Sequence, residues 1–357
     1  MVRVGILGAA GYTGGELIRV LLNHPEAEIV FANSESNAGN KIYDVHDGLL
    51  GETYADGRSF ELTFTSEMPF DKVDVVFFCF GHGKSEAFLK EHSIPASVKI
   101  IDLAQDFRIA GTEPYSGGNP TAAAHDYVYG LPETHREEIR KCQHLANPGC
   151  FATCIQLGLL PLAKAGMLVH DVAVNAITGS TGAGQKPGAT THFSWRNNNF
   201  STYKLFSHQH LHEITQTLNE LRPSEAPAFI DTLNEGFGKD GLTVDFIPYR
   251  GDFARGIFCT EVITTNEAQD KDAIVALYKD YYRDAAFTHY SDAAPDLKQV
   301  VNTNKAIVHV DVFGRKIVVT SMIDNLIKGA VGQAVQNMNL MFNLNEREGL
   351  NLKASAF

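Results

Sequence analysis

Five cysteines in 357 residues are few, and their number is odd. Cys79, Cys142, Cys150, Cys154 and Cys259 are scattered along a long chain, which argues against a disulfide framework and fits a reducing, cytoplasmic setting. Basic residues are in deficit too: 30 Lys and Arg stand against 42 Asp and Glu, a formal net charge of −12. A field of that sign repels phosphate backbones and anionic lipid headgroups, so neither nucleic acid nor a membrane surface is expected as a partner. Small anions stay open, because a local convergence of Arg, Lys or backbone N–H groups is not governed by net charge. No stretch approaches the ~20 apolar residues of a membrane span. Met1-Val2-Arg3-Val4-Gly5-Ile6-Leu7 runs into a glycine-rich turn too soon for a signal segment, so folding is expected to start at residue 2. Internal repeats, low-complexity tracts and flexible linkers are missing as well.

What is present is a globular composition, 44% apolar and 20% charged, in a length that predicts about two domains. Val2 to Leu7, Ala27 to Ala32, Val73 to Phe80 and Val98 to Leu103 are short apolar runs separated by helical or loop segments. That alternation predicts a parallel sheet covered by helices on both faces. From Asn147-Pro148-Gly149 onward the runs change character. Val172 to Thr178, Thr243 to Ile247, Ile257 to Thr264, Ile307 to Val312 and Lys316 to Met322 predict a mixed or antiparallel sheet. Asn325 to Phe342 returns to helical spacing, with Leu326, Ala330, Ala334, Val335, Met338 and Met341 near one stripe.

Gly8-Ala9-Ala10-Gly11-Tyr12-Thr13-Gly14 is GxxGxxG at the junction of the first strand and first helix. Backbone N–H groups and the positive helix end can hold a pyrophosphate there, which makes Gly8, Gly11, Tyr12, Thr13 and Gly14 candidate dinucleotide contacts. The second strand ends in Asn33-Ser34-Glu35-Ser36. Ser34 and Ser36 suit the 2′-phosphate of NADP and Glu35 opposes it, so NADP and NAD both stay compatible.

Asn147-Pro148-Gly149 precedes Cys150, and the segment after it is predicted helical until Pro161. A cysteine at a helix N-terminus meets free N–H groups and the positive end of the dipole, which favour the thiolate; Cys150 is the candidate nucleophile. Cys154, one helical turn on, is expected to face the core. Ser207-His208-Gln209-His210-Leu211-His212-Glu213 places three histidines at alternating positions before a helical run, on one side of an extended segment if the alternation is strand-like. HxHxH can ligate zinc, but no Cys or second carboxylate stands near, and no metal is predicted. One of these imidazoles is instead the expected acid/base partner of Cys150, with Glu213 orienting it.

These strings resemble the N-acetyl-gamma-glutamyl-phosphate reductase family of arginine biosynthesis over nearly the whole chain. Asn147 to Thr153, with Pro161 eleven residues after Cys150, is similar to the family's active-site signature, and the glycine turn is similar to its cofactor loop. Ile101-Asp102-Leu103-Ala104-Gln105-Asp106-Phe107-Arg108 resembles its "DLSADFR" segment, which implies that Arg108 faces substrate. Tyr129-Gly130-Leu131-Pro132-Glu133, Gly179-Ser180-Thr181-Gly182-Ala183-Gly184, Arg255-Gly256-Ile257 and Asp324-Asn325-Leu326-Ile327-Lys328-Gly329-Ala330 also have counterparts. The histidine cluster stands where the family has HRHxPEI, which implies His208 as the acid/base, with Gln209 and His212 departing from the pattern.

The resemblance implies a Rossmann-type dinucleotide-binding domain of residues 1–149 and 325–357 and an α+β catalytic and dimerisation domain of residues 150–324. A C-terminal helix would return to the first domain. It implies NADPH-dependent reduction of an N-acyl-glutamyl 5-phosphate to the semialdehyde through a cysteine thioester, in a homodimer or homotetramer. Arg108, Arg255, Asn147 and Gly149 would meet the small acyl-phosphate substrate, and Ser180, Gly182 and Asn325 would adjoin the cofactor. Rival readings are a sister reductase acting on aspartyl phosphate or on a carrier-bound aminoadipyl phosphate, and a non-catalytic dinucleotide sensor with Cys150 as a redox switch. The N-acyl group itself is not legible in the sequence.

Overall fold

The structure, a computed structural model, describes residues 1–110 and 127–355. The chain forms two compact units, Met1–Pro148 with Ala330–Leu352, and Gly149–Gly329 with Lys353–Phe357.

The first unit is built on strands β1 (Val2–Leu7), β2 (Ala27–Asn33), β3 (Phe64–Thr65), β4 (Val75–Phe78), β5 (Lys99–Asp102), β6 (Tyr127–Tyr129) and β7 (His144–Ala146). They pair in the order β3-β2-β1-β4-β5-β7-β6, and every pairing is parallel. Val4, Ile6, Val75, Phe77 and Ile101 are fully buried, as the near-continuous apolar runs of a parallel sheet require. Helices α1 (Tyr12–Leu22), α2 (Ser85–Glu91) and α3 (Pro132–Lys141) join the strands.

The second unit opens with α4 (Cys150–Lys164). It continues through β8 (Val172–Thr178), α5 (Phe193–Arg196), β9 (Ser201–Thr202), α6 (His210–Leu221), α7 (Thr232–Glu235), β10 (Val244–Arg250), β11 (Ile257–Thr264), α8 (Lys271–Tyr281), β12 (Thr288–Tyr290), β13 (Ala306–Phe313) and β14 (Lys316–Ile323). The sheet order is β12-β13-β14-β11-β8-β10-β9, with parallel and antiparallel pairs mixed. The last helix, α9 (Gly332–Met341), packs on α1 and α3 of the first unit and is buried along its whole length. The α/β class, the parallel sheet, the mixed sheet and the returning helix are therefore as the sequence leads one to expect. Among the described residues no helix is long and apolar enough to cross a membrane.

One expectation is corrected. Helix α4 does not stop at Pro161 but runs through it to Lys164. Proline removes the N–H that would bond the carbonyl four residues back, here that of Leu157. The structure fills the gap from α8 and just after it: the Tyr282 hydroxyl donates to Leu157 O, and that of Tyr278 donates to Gly158 O at 2.7 Å. On its sheet-facing side α4 rests on Glu261, whose carboxyl would lie 2.0 Å from a Cβ at Gly158; burial raises this carboxyl well above the ordinary carboxylate range. The helix that begins at Cys150 is thus tied to α8 and the residue after it by buried hydroxyls, and its Gly158 packs on a buried carboxyl of the sheet.

Tyr282→Phe leaves the Leu157 carbonyl buried without its donor and is expected to lower unfolding free energy by about 1–2 kcal/mol in denaturant titrations. In a Pro161→Ala background the restored amide takes over that carbonyl. The Tyr282→Phe penalty should shrink there, which a double-mutant cycle measures directly.

Candidate active site

In the first unit the glycine turn joins β1 to α1. Gly8 has a φ of +73°, and a Cβ there would come within 2.8 Å of Cys79 O, while a Cβ at Gly14 would come within 2.4 Å of Ala9 O. Both glycines are required by the turn's own packing. Gly11 is different, since a Cβ there would meet nothing closer than Gly8 O at 3.9 Å. Gly11 is the N-cap of α1, without a side-chain cap or an acidic residue in the first turn. The first intrahelical bond runs from Gly15 N–H to Gly11 O at 2.9 Å, so the amides of Tyr12, Thr13 and Gly14 point out of the helix end. His46, which the sequence reading passed over, is seated on the same turn: its Nε2 lies 2.8 Å from Ala9 O.

At the end of β2, Ser34 is buried and Asn37 Nδ2 donates to Ser34 Oγ at 3.2 Å and to Ser36 Oγ at 3.1 Å. Glu35 between the two serines is exposed. Asn37 is a further residue that sequence reasoning missed, because only the turn brings its amide onto both hydroxyls. A glycine-rich turn with no side-chain cap on its outward amides, and a corner of two hydroxyls and an amide, fit the pyrophosphate and ribose of a dinucleotide.

The 101–108 segment is locked by its own acids. Asp102 is fully buried and accepts from Ser85 Oγ at 2.8 Å and Ala104 N at 2.9 Å; burial nonetheless pushes its carboxyl up to about 7. Asp106 accepts from Gly83 N at 2.9 Å, and Arg108, itself buried, donates Nη2 to Leu103 O at 2.8 Å. Asn147 was expected to meet substrate. Its amide donates to Ala330 O at 3.1 Å and accepts from Nδ2 of Asn337, a residue of the last helix of the unit, at 3.1 Å.

In the second unit Cys150 is the first residue of α4 and is partly exposed. The first bond of the helix runs from Thr153 N–H to Gly149 O at 2.8 Å, which leaves the Phe151 and Ala152 amides directed out of its N-terminus. Gly149 N–H donates to Glu213 Oε2 at 2.8 Å, and Glu213 Oε1 lies 3.9 Å from His210 Nε2. A Cβ at Gly149 would come within 2.3 Å of that same Nε2, so only glycine lets the imidazole lie against the backbone next to Cys150. Gly329 closes the other side, where a Cβ would come within 2.9 Å of Cys150 Cβ. Gln156, fully buried, binds α4 to α6 through Glu213 O at 2.9 Å and Thr217 Oγ1 at 3.2 Å.

The histidines do not lie on an extended segment, a second correction. His210 and His212 belong to the first turn of α6, where side chains two apart diverge and those three apart share a face. His210 and Glu213 therefore stand together, while His212 turns to Asp231, with Nδ1 to Oδ2 at 2.5 Å. His208 precedes the helix and is buried, edge-on to Phe151, Phe246 and His210 at centroid distances of 5.3, 5.4 and 4.5 Å. Its Nδ1 accepts from His210 N–H at 3.2 Å, which puts the proton of a neutral ring on Nε2. Among the described residues no three His, Cys, Asp or Glu side chains gather as metal ligands would.

The other expected residues form a brace. Asn325 Oδ1 accepts from Gly256 N at 2.7 Å and its Nδ2 donates to Thr181 Oγ1 at 3.1 Å, beside Gly182. Ser180 N–H donates to Phe253 O at 2.9 Å, which ties the Gly179–Gly184 loop to the 253–256 turn. Arg255, expected to fork around substrate, directs Nε and Nη2 to the buried carboxylate of Asp324 at 3.1 and 3.2 Å. Sequence reasoning named no cation in the second unit besides Arg255, yet Arg250 lies over the Tyr203 ring at 4.0 Å, and Arg196 is buried nearby. Tyr203 meets His208 edge-on at 5.9 Å, and the charge of the nearby Cys150 adds to burial in raising its hydroxyl above the ordinary tyrosine value.

Residues 3–142 match the family model described as semialdehyde dehydrogenase, NAD binding domain, and residues 150–325 match semialdehyde dehydrogenase, dimerisation domain. The chain is 56% identical over 357 residues, all of both proteins, to the N-acetyl-gamma-glutamyl-phosphate reductases of Bacteroides fragilis and Bacteroides thetaiotaomicron. In fold it is similar to aspartate semialdehyde dehydrogenase II of Vibrio cholerae, solved in complex with ASA, with a TM-score of 0.68 and 17% identity over 96% of this chain and 98% of that one. The aspartate semialdehyde dehydrogenase of Candida albicans, solved with NADP, gives a TM-score of 0.63 and 15% identity over 96% and 98%. With its two semialdehyde dehydrogenase domains and these full-length relatives, the chain belongs to the N-acetyl-gamma-glutamyl-phosphate reductase family.

Proposed function

We propose that this chain reduces an N-acyl-glutamyl 5-phosphate to the 5-semialdehyde with release of phosphate, at the expense of NADPH, as a step of arginine biosynthesis. The observation that carries this reading is the setting of Cys150: a partly exposed thiol at the start of a helix, with His210 and Glu213 against the residue before it. An acyl phosphate has a good leaving group, and a thiolate exchanges it for a thioester with an electrophilic carbonyl. The Cys150 sulfur attacks the carbonyl carbon, the C–O bond to phosphate breaks, and phosphate departs. The Phe151 and Ala152 amides are oriented to hold the oxyanion that forms in between, an effect of roughly 3–4 kcal/mol per donor in other enzymes.

His210 takes the acid/base role, a shift of two residues from the expectation drawn from the family pattern. Its Nε2 lies against the Gly149 backbone, next to Cys150, and 3.9 Å from the Glu213 carboxylate. It accepts the thiol proton and returns it when the aldehyde is released. His208, held by aromatic rings and by its bond from His210 N–H, positions that neighbour.

Gly8, Gly11 and Gly14 with the Tyr12, Thr13 and Gly14 amides would hold the dinucleotide pyrophosphate. Ser34, Ser36 and Asn37 would hold the ribose end, where the outward Glu35 leaves room for a 2′-phosphate. When bound, the dinucleotide supplies the hydride that brings the thioester to the aldehyde level. A homodimer or homotetramer is supported by the exposed rings of Phe193, Phe200 and Phe237 on the second unit, and the cytoplasm by five free thiols.

The test is phosphate-dependent reduction of NADP with N-acetyl- or N-succinyl-glutamate semialdehyde, the reverse reaction. Cys150→Ser is expected to lower kcat/KM by about 10³ or more with dinucleotide affinity nearly unchanged; normal turnover in that variant ends the covalent mechanism. His210→Ala should lower kcat by about 10² or more, and His208→Ala by less. The reverse ranking returns the acid/base role to His208.

A further inference from the structure

Arg196 ends α5 and is 8% exposed. Its Nη2 donates to Thr178 O at 3.0 Å, but its buried Nε has no hydrogen-bond partner. Strand register fixes what surrounds it. Thr178 on β8 pairs with Arg250 on β10, and Arg250 pairs with Ser201 on β9, so Arg196 is bonded to the strand end that adjoins Arg250. The Ser201 hydroxyl is also buried and without a partner. Arg250 donates Nη1 to Thr202 O at 3.3 Å and lies over the Tyr203 ring.

Among the described residues neither guanidinium has a carboxylate salt-bridge partner. The acid nearest in effect is Asp252, whose Oδ2 accepts from Asn198 N–H at 2.6 Å. Burial and then the like charge of Arg250 lower Arg196 from the ordinary arginine value, as two converging cations without a counter-ion must. A buried donor left unpaired costs free energy, and so does a buried charge left uncompensated; an incoming oxyanion relieves both.

We infer that Arg196 and Arg250, with the Ser201 hydroxyl, form the subsite that receives a carboxylate of the acylated amino-acid substrate. The inference rests on the function proposed above. The forked guanidinium matches a planar carboxylate, and a serine hydroxyl adds one donor beside it. Position argues for the non-reacting part of the substrate. The carbonyl under attack belongs at Cys150 and the α4 amides, whereas the arginine pair stands one aromatic ring further off, since Tyr203 lies between Arg250 and His208. The carboxylate is then either the α-carboxylate, common to every such substrate, or a second carboxylate on a dicarboxylic N-acyl cap. Neither arginine was singled out by the sequence.

The experiment measures the reverse reaction of the full-length enzyme with saturating NADP, varying N-acetyl-glutamate semialdehyde, its N-succinyl counterpart and inorganic phosphate in turn. Arg250→Gln, and Arg196→Lys, which keeps the charge but loses the fork, are expected to raise KM for semialdehyde about ten- to a hundredfold, with kcat within a few-fold. A rise for both semialdehydes assigns the α-carboxylate, and a rise for the succinylated one alone assigns the cap. A rise confined to phosphate, or unchanged KM throughout, overturns the subsite.

Ser201→Ala separates this role from a structural one. Removing a buried, unpartnered hydroxyl should leave the melting temperature unchanged or higher while KM for semialdehyde rises several-fold; a lower melting temperature with unchanged KM counts against the proposal. Wild-type enzyme inactive on every semialdehyde defeats the functional reading instead. The subsite is then read from the melting temperatures in N-acetylglutamate and in N-succinylglutamate, at least one of which should raise wild type more than Arg250→Gln, and equal rises with both overturn it.

Discussion

A single buried hydrogen bond, from the Gly149 amide to the Glu213 carboxylate, sets the geometry on which the site in the second unit depends. Glu213 is 2% exposed, and burying a carboxylate is costly unless N–H donors compensate. Here the compensation also does positional work. The bond ties the start of α4, and so Cys150, to the first turn of α6, which carries His210 one helical turn before Glu213. The missing Cβ of Gly149 then lets the imidazole settle against the backbone, and Gln156 repeats the tie about two turns further along α4. Lengthening any of these contacts moves sulfur and imidazole relative to each other, and a displacement of about 1 Å in reacting groups is enough to lose orders of magnitude in rate.

The rest of α4 is held with similar economy of polar groups. A proline inside the helix would leave a carbonyl unpaired, and a tyrosine hydroxyl supplies the donor. A glycine lets the helix settle onto a buried glutamic acid. These features clamp the whole helix, its Cys150 end included, while the Phe151 and Ala152 amides point out of its N-terminus. In the first unit the same principle appears at α1, where a glycine turn leaves three amides at a helix end without a side-chain cap. A chain with a net charge of −12 thus offers anions local positive sites made of amides and of two arginines.

Much of the fold was legible in the sequence. Val2 to Leu7, Val172 to Thr178 and Ile257 to Thr264 are strands with the limits their apolar runs give: the first is buried almost throughout, as a parallel strand is, and the other two alternate buried and less buried residues, the period-2 pattern of a strand with one face in the core. Two- and three-residue strands such as β3, β7 and β9 left no such trace, since their pairing is set by neighbours far along the chain. The start of α4 was readable from Pro-Gly-Cys, and its end was not, because the donor that rescues Pro161 comes from residue 282. In the site the pattern is the same. The place of Cys150 at a helix N-terminus follows from local order, and the pairing of His210 with Glu213 follows from a spacing of three once the segment is taken as helical. The commitment of Arg255 to Asp324, of Asn147 to Ala330 and Asn337, and the meeting of Arg196 with Arg250 are all long-range, and charge or amide character alone cannot say where a side chain will be engaged.

The central claim is that the sulfur of residue 150 carries the acyl group. Intact-mass spectrometry of the enzyme mixed with N-acyl-glutamyl phosphate generated in situ, with dinucleotide withheld, tests it most directly. The account predicts one acyl-glutamyl adduct per chain, mapped to the peptide that contains Cys150 and released by hydroxylamine as a thioester is. Turnover on adding NADPH with no adduct beforehand, or with the adduct on another residue, would contradict it.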